Sequence, residues 1–413
     1  MLIDEIPSII ARELGIRPAQ VAATAKLLDE GNTVPFIARY RKEVTGELNE
    51  EQIRSVEDRV QYLRNLIKRQ EEILSSITEQ GKLTPELEAS IKAATKLQEL
   101  EDLYLPFRPK KRTRAQIARE KGLEPLAELM LAQEMTIGDP LAIAGEYIDA
   151  EKGVETAEAA LAGAQDIIAE TISERADFRA ALRRKLWTEA EIATTFVAAE
   201  GEGQEFLNYR EYREPVRRIP SHRILAVNRG ERKDVLKVEL ATAHEANIDL
   251  LLRQVHKQAS IFSDRIQQAV ADGYKRLMFP SLEREVRNLL TENAEKQAIR
   301  VFGLNLRQLL LQPPLAGHSV MGLDPGYRTG CKMAVISPTG TALATNTLYI
   351  TMSDRERQRA ADTVLAAIQQ YNITLIAIGN GTASYETEEF VANLISQHGL
   401  AVRYLIVNEA GAS

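Results

Sequence analysis

Apolar residues recur at intervals of three and four through most of the chain before residue 310, the spacing that puts one stripe of an α-helix against a core. Val56, Val60, Leu63, Leu66, Ile67, Ile73, Leu74 and Ile77 predict a long amphipathic helix from residue 50 to about 80, ended by Gly81. Two short helices precede it, over residues 6–14 and 18–28, hinged at Gly15 and restarted at Pro18, in the manner of a helix-turn-helix. After Thr84-Pro85, an N-cap and first-turn pair, a further helix is expected to reach about Leu105 and to carry Glu99, Glu101 and Asp102. Residues 117–125 echo residues 10–18 in the order helix, Gly, apolar residue, Pro. From about 138 to 200 the pattern stays helical, with breaks at Gly138, Pro140, Gly153 and Gly163. Residues 224–227 and 235–238 read as strands of a small hairpin around Asn228-Arg229-Gly230, residues 250–312 return to helix, and residues 312–317 read as a linker.

From Val320 onward the order is strand, strand, strand, helix, strand, helix, strand, with strands near 320–324, 331–337, 342–350, 374–379 and 401–407 and helices near 354–370 and 384–398. Three strands before the first crossover predict a mixed sheet, an antiparallel meander followed by right-handed βαβ units. That is the order of a ribonuclease H-like fold. The fold class expected is a mainly α N-terminal body followed by an α/β ribonuclease H-like domain. The divisions expected are 1–200 (helical, helix-turn-helix-like units), 201–245 (a small β-containing insertion), 246–317 (helical region and linker) and 318–413, the ribonuclease H-like domain.

A length of 413 residues is consistent with two to four domains at ~100–200 residues each. The net charge of −7 argues against a polycation that coats nucleic acid by charge alone. A single cysteine, Cys331, forbids an internal disulfide and a zinc quartet, and its plain reading is a small residue packed in a strand. The N-terminus carries Asp4 and Glu5 without a secretory apolar core, and no run approaches the ~18 apolar residues of a membrane helix. A cytoplasmic protein without a membrane partner is expected.

Cations nevertheless cluster. Residues 33–46 place Arg39, Arg41 and Lys42 with Tyr40 between an apolar anchor and Gly46. That group could grip phosphates while Tyr40 stacks on a base; spacing alone favours a helix end with Phe36, Ile37 and Tyr40 in the core. Five of the seven residues from 108 to 114 are basic (Arg108, Lys110, Lys111, Arg112, Arg114), and Pro106 and Pro109 hold the segment extended. This is the strongest electrostatic nucleic-acid signal in the chain, though such a loop could equally pair with the acidic helix before it. Arg217, Arg218, Arg223, Arg229, Arg232 and Lys233 form a second basic surface.

The candidate chemistry lies at the sheet. Asp324 enters a Gly-Pro turn between two apolar runs, with glycines at 322, 326 and 330 that let backbone or phosphate come close. In a ribonuclease H-like sheet the ends of the first, fourth and fifth strands converge, and here they carry Asp324, Asn380 and Glu409. Two-metal phosphodiester cleavage wants several carboxylates, because two Mg2+ or Mn2+ must be charge-balanced. Two acids and an amide predict weak or no nuclease activity, and no cofactor is expected unless a metal-dependent nuclease built on Asp324 and Glu409 survives. A further alternative is an actin-like ATP-binding fold, in which an Asp-x-Gly turn cradles phosphate.

Residues 322–332, 378–384 and 408–413 resemble the YqgF-type ribonuclease H-like domain of the Tex family of bacterial transcription accessory proteins. Residues 33–42 and 103–112 are similar to that family's N-terminal blocks, so the resemblance runs the length of the chain. It implies a nucleic-acid-binding scaffold, related to a eukaryotic elongation factor, that contacts the transcription machinery. It also implies an N-terminal portion, since the family pattern continues into helix-hairpin-helix and OB-fold segments.

Overall fold

The computed structural model describes residues 3–109, 112–199, 201–311, 315 and 317–408. The chain divides into two compact units, 1–294 and 295–413. In the first, Asn49 opens the helix Glu50–Glu79 with a capping box: its side chain accepts the Gln52 N–H, and the Gln52 side chain accepts the Asn49 N–H. The predicted stripe is buried along this helix except for Leu74, which is half-buried. It packs with Ile6, Ile10 and Val21 from the helices Ile6–Leu14 and Pro18–Asp29. Gly15 takes a left-handed conformation (φ 67°), which lets the Ile16 N–H donate back to the Ala11 carbonyl at 3.1 Å. The echo reproduces this closure: Gly122 stands at φ 80°, and the Leu123 N–H donates to the Ala118 carbonyl at 3.1 Å.

Several element expectations are corrected by contacts distant in sequence. The helix after Thr84 is two helices, Pro85–Ala93 and Leu97–Tyr104. Gln70, buried in the long helix, donates to the carbonyls of Ile91 (2.9 Å) and Ala94 (3.0 Å), and so satisfies backbone groups that the break would leave orphaned. Gly163 breaks nothing; it lies inside the helix Ala157–Ser173, where a Cβ would stand 2.4 Å from Leu123 Cδ1. The helical run expected to reach residue 200 ends with the helix Ala176–Glu189, and strand β1 (Glu191–Phe196) follows. It pairs antiparallel with β2 (Arg213–Pro215) and β3 (Leu236–Ala241) in the order β2-β1-β3.

Residues 224–227 belong to the helix Ser221–Arg232, not to a strand, and Gly230 is a packing glycine whose Cβ would stand 2.5 Å from Leu236 Cδ1. A run of four apolar residues carries no period of its own, so packing decided its state. The helix His244–Val255 follows. Then Ser263–Asp272, a π-helical turn Gly273–Met278 and Phe279–Leu310 succeed one another without a break. Of the predicted linker, residues 312–314 and 316 lie outside the described residues.

The second unit holds β4 (Ser319–Asp324), β5 (Cys331–Ile336), β6 (Ala342–Leu348), β7 (Ile373–Gly379) and β8 (Arg403–Val407). The sheet order is β6-β5-β4-β7-β8; β4 is antiparallel to β5 and β5 to β6, while β4–β7 and β7–β8 are parallel. This is the mixed ribonuclease H-like sheet the pattern predicts. Met321, Leu323, Met333, Val335, Ile376 and Ile378 share a core with Val364 of the helix Asp354–Tyr371 and Phe390 of the helix Ser384–His398. Side chains alternate across a strand, so Gly322, Asp324, Lys332, Ala334 and Ala377 line the opposite face.

The turn glycines are not equivalent. Gly330 sits at φ 75°, and a Cβ there would lie 2.8 Å from Thr347 Cγ2 and 3.0 Å from the Leu348 carbonyl oxygen. At Gly322 the nearest atom, the Ala334 carbonyl oxygen, would be 3.9 Å away. Gly330→Ala should therefore lower stability by at least about 1–2 kcal/mol, and Gly322→Ala by much less. Thermal unfolding followed by circular dichroism measures both; equal midpoints for the two variants would contradict the assignment.

Candidate nucleic-acid interface and sheet edge

The register of the sheet gathers the strand ends. Leu323 lies beside Ile378, and Gly379 beside Val407, so Asp324 and Asn380 leave the sheet at one edge together with Asn408. The Asn380 N–H donates to the Val407 carbonyl at 3.0 Å, which ties the fourth strand end to the fifth. Glu409, the expected second acid, lies outside the described residues. The Asp324 carboxylate is exposed, and the Lys332 ammonium stands 3.8 Å from it. An open groove of about 950 Å³ runs over this face, lined by Asp324, Lys332, Ala334, Asn346 and Ala377 among others. Among the described residues no three His, Cys, Asp or Glu side chains converge on a metal position. The described groups at this edge are one carboxylate, one amide and an adjacent ammonium, fewer acids than a pair of divalent cations calls for. In the turn beyond Asn380, Ala383 is held at φ 68°, a conformation unusual for a residue with a Cβ.

Cys331 is a packed strand residue, as its plain reading has it. Burial, with the Asp324 charge adding to it, pushes its thiol up to about 12, away from the thiolate form a nucleophile needs.

Among the described residues, the acids of the helix Leu97–Tyr104 pair with cations outside the basic loop that follows it. Glu101 receives Arg69 Nε at 2.6 Å. Asp102, 4 % exposed, receives Arg179 Nε at 2.9 Å and Arg183 Nη1 at 2.8 Å. The same two arginines grip Glu285 of the helix Phe279–Leu310, Arg179 at 2.6 Å and Arg183 at 2.8 Å, and Arg179 also donates to Ser281 Oγ at 3.0 Å. Two carboxylates and two guanidiniums thus form a mostly buried clamp across three helices. In the loop itself, Arg112 pairs with Glu120 at 2.8 Å, Arg114 lies near enough to Asp166 to act on its charge, and Arg108 joins no ion pair among the described residues. Lys110 and Lys111 lie outside the described residues.

The other basic groups divide. Arg223 pairs with Glu214, Lys233 pairs with Glu205, and the Arg229 guanidinium covers the Phe206 ring. Arg39, Arg41 and Lys42 are exposed and join no carboxylate among the described residues. Their neighbours correct the expectation for this segment: Val34, Ile37 and Ala38 are buried, whereas Phe36 and Tyr40 point outward from the helix Val34–Tyr40. Both stripes of that helix are apolar, so periodicity could not choose between them. The signal available was the company of Phe36 and Tyr40, which share their face with Arg39.

Comparison with known proteins agrees with this architecture in three segments. Residues 4–78 match the Tex-like protein N-terminal domain, 136–302 the Tex central region-like family, and 318–413 the Tex protein YqgF-like domain. The chain belongs to the Tex family. It is 43% identical to Protein tex of Bordetella pertussis, over 98% of this chain and 53% of that relative. It is 43% identical to the Transcriptional accessory protein Tex of Neisseria gonorrhoeae, over 99% and 54%. It is 32% identical to the human S1 RNA-binding domain-containing protein 1, over 99% and 42%. The chain therefore spans about half the length of the curated relatives it matches. In this Tex-family chain the YqgF-like match covers the five-stranded sheet, in keeping with the ribonuclease H-like reading rather than the actin-like one.

The clamp yields a quantitative expectation. Asp102→Ala leaves Arg179, 5 % exposed, without one of its two buried counter-charges and should destabilise the first unit by about 3–5 kcal/mol. Glu50→Ala, which removes an exposed pair with Arg54, should change stability by under about 1 kcal/mol. The single tryptophan, Trp187, lies on the same helix as Arg179, so urea unfolding followed by its fluorescence reports on the right unit. A midpoint for Asp102→Ala no lower than that of Glu50→Ala would show that the clamp is not a principal constraint.

Proposed function

We propose that this chain is a nucleic-acid-binding scaffold of the transcription apparatus, acting in the cytoplasm, whose ribonuclease H-like domain serves binding or architecture rather than cutting. The observation that carries the reading is the fate of the acids beside the basic loop. Glu101 and Asp102 are engaged by Arg69, Arg179 and Arg183, and among the described cations of the loop Arg112 meets Glu120, Arg114 acts on Asp166 at a distance, and Arg108 joins no ion pair. A cluster of cations attracts a phosphate backbone and releases its counterions. Arg39, Arg41 and Lys42 add a second cationic group on the N-terminal helices. The relatives' names support the same class, one being a transcriptional accessory protein and another an S1 RNA-binding domain protein. Contact with a component of the transcription machinery is part of the proposal. The second reading, a metal-dependent nuclease using Asp324 and Glu409, is favoured only by the convergence of Asp324 and Asn380 at one sheet edge.

The test is the salt dependence of binding to a labelled oligonucleotide. Reversing Arg108, Lys110 and Lys111 to Glu should weaken binding and reduce the slope of log affinity against log salt by roughly 2–3, about 0.7–0.9 for each phosphate no longer neutralised. An unchanged affinity and slope would move the loop's role to a protein partner.

A further inference from the structure

The helix Val34–Tyr40 presents a surface that its own packing does not explain. Val34, Ile37 and Ala38 are buried against Leu27, Leu48 and Ile53, which anchors one face of this short helix. On another face, Phe36 is 36% and Tyr40 is 65% exposed, in a chain only 5% aromatic. The two rings, one helical turn apart, stand with centroids 5.3 Å apart at 47°. Arg41 ends the helix, and its guanidinium does two things: it donates to the Tyr40 carbonyl at 3.0 Å, and it lies 5.1 Å from the centre of the Phe36 ring. The next turn is locked in turn by Thr45, which is buried and donates to the Lys42 carbonyl at 3.1 Å. Gln20 donates to the Gly46 carbonyl at 2.8 Å, and the Arg17 guanidinium stands where a Cβ on Gly46 would meet it at 3.0 Å. Two exposed rings are thus held on a buried anchor, with Arg41 against Phe36 and with Arg39 and Lys42 beside them in the chain. None of these three is paired with a carboxylate among the described residues, although Glu43 and Glu47 lie nearby in the chain.

We infer that Phe36 and Tyr40 form a stacking platform for the unstacked bases of a single-stranded nucleic acid, whose phosphates are held by Arg39, Arg41 and Lys42. A duplex hides the faces of its bases, so phosphate contacts alone would leave the rings idle; a single strand offers both the charge and the π-face. A protein partner could bury the rings, but it gives no reason for three cations beside them that join no carboxylate among the described residues. The platform is separate from the 108–114 loop, and the inference rests on the nucleic-acid reading of the chain.

The test uses the whole chain and three labelled probes: a short oligothymidylate, an abasic strand of the same length, and a duplex. The wild type should bind the oligothymidylate more tightly than the abasic strand. Replacing Phe36 and Tyr40 together by Ala should weaken oligothymidylate binding about tenfold or more while leaving abasic-strand and duplex binding unchanged. Tyr40→Phe, which keeps the ring, should retain the wild-type preference. Both rings are exposed, and circular dichroism of the double variant checks that it folds. Equal wild-type affinity for base-bearing and abasic strands overturns the inference. So does a double variant that binds as the wild type does, which would reassign the rings to a protein partner. Binding that is lost on reversing the 108–114 loop but indifferent to the rings overturns only this inference, whereas a wild type that binds no probe overturns the loop reading as well.

Discussion

Arg179 is the residue on which the first unit turns. A guanidinium 5 % exposed cannot be left without a counter-charge, and it finds two, Asp102 on one side and Glu285 on the other. With Arg183 doubling both contacts, the helix Leu97–Tyr104, the helix Ala176–Glu189 and the helix Phe279–Leu310 are joined by directional bonds that hydrophobic packing alone would not specify. Such a network is not a reservoir of stability compared with a well-packed apolar core. It is a constraint: each partner, once buried, requires the others.

The clamp also shapes the surface. It draws Asp102 inward, and Arg69 takes Glu101, so neither acid is paired with a described cation of the basic loop that starts at Arg108. Charges close in sequence are thereby separated in space, with Asp102 buried and Arg108, Arg112 and Arg114 exposed. The sheet of the second unit shows the reverse arrangement. Its strand ends converge as in a nuclease, yet the carboxylate at Asp324 faces a lysine, and an amide occupies the next strand end.

The second unit was readable from sequence almost strand by strand, because its strands are short apolar runs bounded by Gly, Pro and Asn, and βαβ connections allow few topologies. The long helix and the Gly15 hinge were readable for the same local reason. What escaped was decided at a distance. Gln70 satisfies the carbonyls at a helix break 21 and 24 residues away, Leu123 and Leu236 convert Gly163 and Gly230 from expected punctuation into packing positions, and the apolar run at 224–227 takes its helical form from tertiary context. At the candidate sites, spacing identified the cations but not their partners. That Asp102 belongs to Arg179 spans 77 residues of sequence, and that Phe36 and Tyr40 face outward depends on which of two apolar stripes meets Leu27 and Ile53.

The central claim is that this chain holds nucleic acid without cutting it. The direct measurement is to incubate the purified chain with a labelled single strand in Mg2+ and again in Mn2+, reading binding by anisotropy and strand integrity by denaturing gel from the same tube. A bound and intact strand is the expected result. Cleavage that disappears in Asp324→Asn would contradict the claim.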